Sequence, residues 1–81
     1  MERSEIESKV KAFLIEEMEI EAADICDEAQ LREGLGLDSL DFVDIVVIVE
    51  KTFGFKIKPE EMTDVRTVRA FYDYIETRTV R

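Results

Sequence analysis

The chain has 81 residues, 46% of them apolar and 38% charged, which supports one small core and leaves no room for a large enclosed catalytic cleft. Residues 1–81 are therefore read as a single domain. A net charge of −9 excludes nucleic acid and anionic lipid as partners, because their phosphates repel such a surface, and favours basic proteins instead. The charge is uneven: residues 1–37 hold 11 acids and 4 bases, residues 38–64 hold 7 and 3, and residues 65–81 hold 2 and 4. Self-repulsion among so many acids should make the fold sensitive to ionic strength. The single cysteine, Cys26, cannot form an internal disulfide, fits a reducing compartment, and is expected as a half-buried loop thiol. The opening MERSEIESK lacks the basic-then-apolar order of a signal peptide, and the longest apolar run, Ile45 to Val49, is too short to span a membrane. The chain is read as cytoplasmic, soluble and monomeric.

Ile6, Val10, Phe13 and Leu14 recur at helical spacing, with Ser4 as a cap and Glu7 three residues on as a capping box, which predicts a first helix over residues 4–18. Residues 19–37 lose that period and contain Gly34 and Gly36. They predict a long connection pinned to the core by Ile20, Ile25, Leu31, Leu35 and Leu37, and connections of this length tend to be functional or partly structured.

Residues 39–53 carry opposed signals. Val43, Ile45, Val46, Val47, Ile48 and Val49 are all β-branched and favour a strand. Asp38 as N-cap, Asp41 where the helix dipole favours a negative charge, a length beyond most strands, and Gly54 placed as a left-handed C-cap favour a helix. The residues alone leave both open, with the helix ahead. Lys58-Pro59-Glu60-Glu61-Met62 predicts a short helical turn. Val68, Phe71, Tyr72 and Ile75, behind Thr67 as cap, predict a last amphipathic helix over 67–77. The fold class is all-α, a small four-helix bundle of three main helices and a short one before the last.

On a helix over 39–53, Phe42, Ile45, Val46, Val49 and Phe53 share one face. Leu40, Val43 and Val47 fall nearly opposite, among Asp44, Glu50 and Lys51. That second stripe either packs beneath the 19–37 connection or meets a partner. Ser39 stands at its N-terminal edge. It resembles a catalytic nucleophile in type, but the chain has no histidine to activate it. Other chemistry fits poorly. Asp38, Asp41 and Asp44 lack the alternate spacing and central glycine of a calcium loop, so no metal is assigned. Gly34-Leu35-Gly36 lacks the preceding strand and third glycine of a dinucleotide fingerprint.

At Asp38-Ser39-Leu40 the chain resembles a known family. LGLDSLDFVDIVVIVEKTFGFKI, residues 35–57, is similar to the modification site and second helix of acyl carrier proteins, and TVRAFYDYI is similar to the family's last helix. The resemblance implies that the chain is not an enzyme. It implies instead that Ser39 carries a 4′-phosphopantetheine arm, attached from coenzyme A by a separate phosphopantetheinyl transferase, whose thiol holds acyl groups as thioesters. It further implies delivery to acyl-processing enzymes such as a ketosynthase, acyltransferase, reductase or dehydratase. The partner-binding roles fall on Asp38, Leu40, Asp41, Val43, Asp44, Val47 and Glu50, and the lining of an acyl pocket on Phe42, Val46 and Ile75. Lys51, Thr52, Lys56 and Lys58 depart from the acids common in fatty-acid-synthesis carriers, and Leu37 from the alanine common before the aspartate, which points to a specialised, polyketide-like chain. The alternatives are an aminoacyl or peptidyl carrier, for which the usual Gly-Gly before the modified region is absent, and an acidic interaction domain with no prosthetic group.

Overall fold

A computed structural model describes residues 2–79. Four α-helices follow in order: α1 Arg3–Glu16, α2 Ser39–Phe53, α3 Pro59–Met62 and α4 Val68–Thr79. Among the described residues there is no strand, only an isolated antiparallel bridge between Gln30 and Thr67, and no helix is long and apolar enough to cross a membrane. The all-α four-helix bundle expected from the pattern is the fold observed.

The β-branched run resolves as helix because both ends of α2 are capped, one by side chains and the other by backbone. The Asp38 carboxylate accepts the Asp41 amide at 3.0 Å, and the Asp41 carboxylate accepts the Asp38 amide at 3.0 Å. This reciprocal box satisfies donors that every helix start leaves open. At the other end Gly54 takes φ 81°, a left-handed conformation that glycine adopts without a Cβ penalty, and returns its amide to the Glu50 carbonyl. Inside, Ile45 and Val49 are fully buried.

The start of α1 corrects the sequence reading. The helix begins at Arg3 with Glu2 flanking it, so Ser4 lies inside the first turn and caps nothing. Glu7 does not close a box because it accepts from the Arg3 guanidinium at 3.0 Å. The helix also ends at Glu16, two residues early. Glu19 turns off in the left-handed region at φ 58°, while the Met18 and Ile20 amides close on the Phe13 and Leu14 carbonyls.

The long connection is stitched to the start of α4. The Arg69 amide donates to Asp27, the Val68 amide to Ala29, and the Leu31 amide to Arg66, at 3.0, 3.0 and 2.8 Å. With Thr67 Oγ1 accepting the Ala70 amide at 3.1 Å, the first turn of α4 is capped largely by the connection itself. Ile25, Leu31 and Leu37 are buried, and Ile20 and Leu35 pack half-buried against the same core. Cys26 is exposed rather than half-buried, because the short 3₁₀ turn at Ala22–Asp24 directs Ile25 inward and the next residue out.

The core joins α1 to α4 most closely. Phe13 meets Phe71 edge-on at 6.3 Å, with Ile6, Val10, Tyr72 and Ile75 buried around them. Arg3 spans the same pair of helices, donating to Asp73 at 2.7 Å and Glu76 at 2.9 Å. The short α3 is tied to α4 through Glu61, which accepts from the Tyr74 hydroxyl at 2.5 Å and from the Arg78 guanidinium. The Tyr74 hydrogen bond, then Arg78, hold the Glu61 carboxyl below its ordinary range against an opposing desolvation.

Candidate functional site

The first turn of α2 presents Ser39. Capping is done by Asp38 in an extended conformation, φ −111° and ψ −173°, so the Ser39 hydroxyl stands outside the cap and exposed. It lies one residue into a helix start, where unpaired amides and the helix dipole favour negative charge.

Ser39 also lies on the rim of a groove of about 650 Å³. Phe42, Val43 and Val46 form the α2 side, three residues of the first two turns on the flank below Ser39. Leu31 forms the connection side, and Met62 and Val65 the side leading out of α3. Leu31 is 1%, Met62 9% and Val65 8% exposed, so the floor is apolar and belongs to the core. The Arg32 guanidinium lies 5.2 Å over the Phe42 ring on the same groove.

The outward stripe of α2 is open. Leu40 is 78% exposed, Val43 62% and Val47 46%. The connection at 19–37 therefore does not cover it, and of the two readings of that stripe the packed one is excluded. Asp38, Asp44 and Glu50 are exposed around it, with Asp41 half-buried in the capping box. Among the described residues none of these four acids has a cation at salt-bridge distance.

The structure thus strings Ser39, its cap Asp38 and the six acidic and apolar residues Leu40, Asp41, Val43, Asp44, Val47 and Glu50 along α2, and puts two of the three pocket residues, Phe42 and Val46, on the groove beside Ser39. Ile75 is placed elsewhere. It is fully buried on α4 and is not a wall of the groove, because the i+7 spacing that placed it on the core face of α4 says nothing of which neighbour it meets. The sequence reading missed Met62, Val65, Arg32 and Arg66, all of which line the groove. The only local signal was Gly34. A Cβ there would lie 2.7 Å from the Gln30 carbonyl oxygen, so the tight turn that carries Arg32 needs glycine.

A model of the phosphopantetheine attachment site matches residues 8–75, a span that contains the whole of this arrangement. The chain belongs to the acyl carrier protein family. An acyl carrier protein of Thermotoga maritima is 38% identical over 76 residues, covering 94% of each chain. One from Coprothermobacter proteolyticus is 38% identical over 77 residues, covering 95% of this chain and 94% of its own. The cofactor of this carrier is phosphopantetheine, and both relatives are named as carriers rather than as enzymes. For a carrier, the lack of histidine beside the α2 serine is no deficiency, since no base is required of the chain itself.

Proposed function

We propose that Ser39 is the attachment residue and that the chain carries acyl intermediates between enzymes of a specialised, polyketide-like assembly. The observation that carries this is the exposed Ser39 hydroxyl on an aspartate-capped helix start at the mouth of an apolar groove. The residues fit the group. A phosphodiester on Ser39 gains roughly 0.3–1 kcal/mol from the dipole and open amides of the first turn. The Asp38–Asp41 box holds that turn rigid while its two carboxylates, each already accepting an amide, face outward. When bound, the arm supplies a thiol that holds the acyl group as a thioester.

The chain's own residues do the rest. Phe42 and Val46 offer apolar wall to a cargo folded back beside the helix. Leu40, Val43 and Val47 supply an uncovered apolar contact for acyl-processing enzymes, ringed by Asp38, Asp41, Asp44 and Glu50, which steer basic partner surfaces onto it. A separate phosphopantetheinyl transferase is the first of those partners. Lys51, Lys56 and Lys58 at the far end of α2 and beyond it interrupt that acidity, which supports a specialised partner set over a housekeeping one.

Incubation with coenzyme A and a broad-specificity phosphopantetheinyl transferase should add one phosphopantetheine to the intact mass, and Ser39→Ala should abolish the gain. An equal gain on the variant, or none on the wild type, refutes the assignment. Loading with malonyl, aryl and aminoacyl donors then separates acyl from aminoacyl cargo.

A further inference from the structure

Acids outnumber bases in this chain by 20 to 11, yet the groove beside Ser39 carries the opposite balance. Its charged lining residues are Arg32, Arg66 and a single acid, Glu33. Five arginines lie among the described residues. Arg3 holds Asp73, Arg69 holds Asp27, and Arg78 holds Glu61. Arg32 and Arg66 hold no carboxylate among the described residues. Among the described arginines, the two left without a carboxylate are the two on the groove.

The backbone builds their position. The Leu31 amide donates to the Arg66 carbonyl at 2.8 Å beside the Gln30–Thr67 bridge, so Arg32 and Arg66 adjoin one paired stem. The Gly34 amide closes the following turn on the Gln30 carbonyl at 2.8 Å. Both arginines are exposed, whereas Leu31, Met62 and Val65 below them are buried, which makes a charged rim over an apolar floor. A wholly apolar chain needs only the floor.

We infer that the groove takes an acyl cargo bearing a carboxylate, whose methylenes lie on the floor and whose carboxylate is received by Arg32 and Arg66. The guanidinium fork matches a carboxylate in two parallel hydrogen bonds and is weakly hydrated, so it forms such a pair at modest desolvation cost. This rests on Ser39 as the attachment point and specifies the cargo class for it. The same anion chemistry has a second source, the phosphodiester that joins the arm to Ser39, and the test separates the two.

The full chain is loaded enzymatically from coenzyme A thioesters with hexanoyl or adipoyl cargo, equal in length and differing in the terminal carboxylate, and each loading is verified by intact mass. The adipoyl thioester should hydrolyse about 1.5-fold to fivefold more slowly on the wild type than on Arg32→Gln/Arg66→Gln, the range of an exposed ion pair. The hexanoyl thioester should hydrolyse equally on both, and Arg32→Lys/Arg66→Lys should keep part of the adipoyl protection. In NMR spectra the Arg32 and Arg66 Nε–H resonances should move with adipoyl cargo and not with hexanoyl. Equal adipoyl hydrolysis on wild type and the glutamine variant, with loading complete, overturns the inference. Resonances that move on attachment of the arm alone, indifferent to cargo, assign the arginines to the phosphodiester and also overturn it. A failure to load at all instead refutes the attachment reading on which the inference rests.

Discussion

The α1–α4 side and the α2 side of this carrier treat the same kinds of residue in opposite ways. Between α1 and α4 the large apolar side chains are buried and the exposed acids are engaged: Phe13 and Phe71 stack edge-on, while Arg3 gathers Glu7, Asp73 and Glu76 around its guanidinium. Along α2 the acids stay unpaired and three aliphatic side chains face water. The seam between α1 and α4 satisfies its own groups, whereas the outward stripe of α2 is left open to solvent. Ile45 and Val49 tie α2 into the core, but its outward stripe contributes little to packing, so substitutions there should leave the fold largely intact.

The sharpest way to break that comparison is paired truncation. Phe71→Ala removes a ring that is 1% exposed and should cost about 3–5 kcal/mol, a large share of what so small a domain has. Val43→Ala, at 62% exposure, should change stability by no more than about 0.5 kcal/mol while weakening transfer from an acyl-loading enzyme. Chemical denaturation of both variants checks the first half, and loading kinetics the second. A Val43→Ala loss near that of Phe71→Ala would mean that the α2 stripe is structural after all.

A smaller effect is expected at Tyr72, whose hydroxyl is the one buried side-chain polar atom without a hydrogen-bond partner among the described residues. Burial, with the Glu7 and Asp27 charges behind it, pushes its hydroxyl up to about 12 from an ordinary 10. The folded state therefore holds this proton more tightly than the unfolded chain does. That contribution is fully present below pH 10 and is lost as the pH rises towards 12. Tyr72→Phe removes the orphan hydroxyl and should raise stability near neutral pH by about 1 kcal/mol. It should also flatten the alkaline fall between pH 10 and 12, read from thermal midpoints across that range.

The smallest effect belongs to Arg3. Its side chain is 32% exposed, so Arg3→Met should cost only about 0.2–1 kcal/mol despite three carboxylates. The loss should shrink at high salt, which denaturation at two ionic strengths would measure. An undiminished loss would assign Arg3 to packing over the Tyr72 ring, which it overlies at 5.5 Å, rather than to ion pairing.

How much of this could be read from the chain varies with the range of the interaction that decides it. The ends of α2 were legible because Asp38, Asp41 and Gly54 act on backbone groups within a few residues. Its two faces were legible because helical periodicity needs only spacing. The start of α1 was misread for the same reason in reverse. Ser4 and Glu7 make a capping box on paper, but Glu7 is drawn to Arg3, which also reaches Asp73 and Glu76 seventy residues away. Cys26 came out exposed because the turn before it is set by where Ile25 must go.

The first, third and last helices, the serine at the head of residues 39–53 and the two faces that segment would have as a helix could be read from the chain, whereas its β-branched propensity left strand open until the Asp38–Asp41 box and Gly54 closed its ends. Capping and period sufficed there because they are properties of a few consecutive residues. Contacts between distant segments settle that the 19–37 connection docks on α4 and leaves Leu40, Val43 and Val47 open. The same docking sets Arg32 over Phe42 and Arg66 beside Leu31, and keeps Ile75 out of the groove. Those outcomes depend on backbone pairing between segments some thirty-five residues apart, as in the Leu31–Arg66 hydrogen bond, and no local pattern encodes which distant partner a connection will choose.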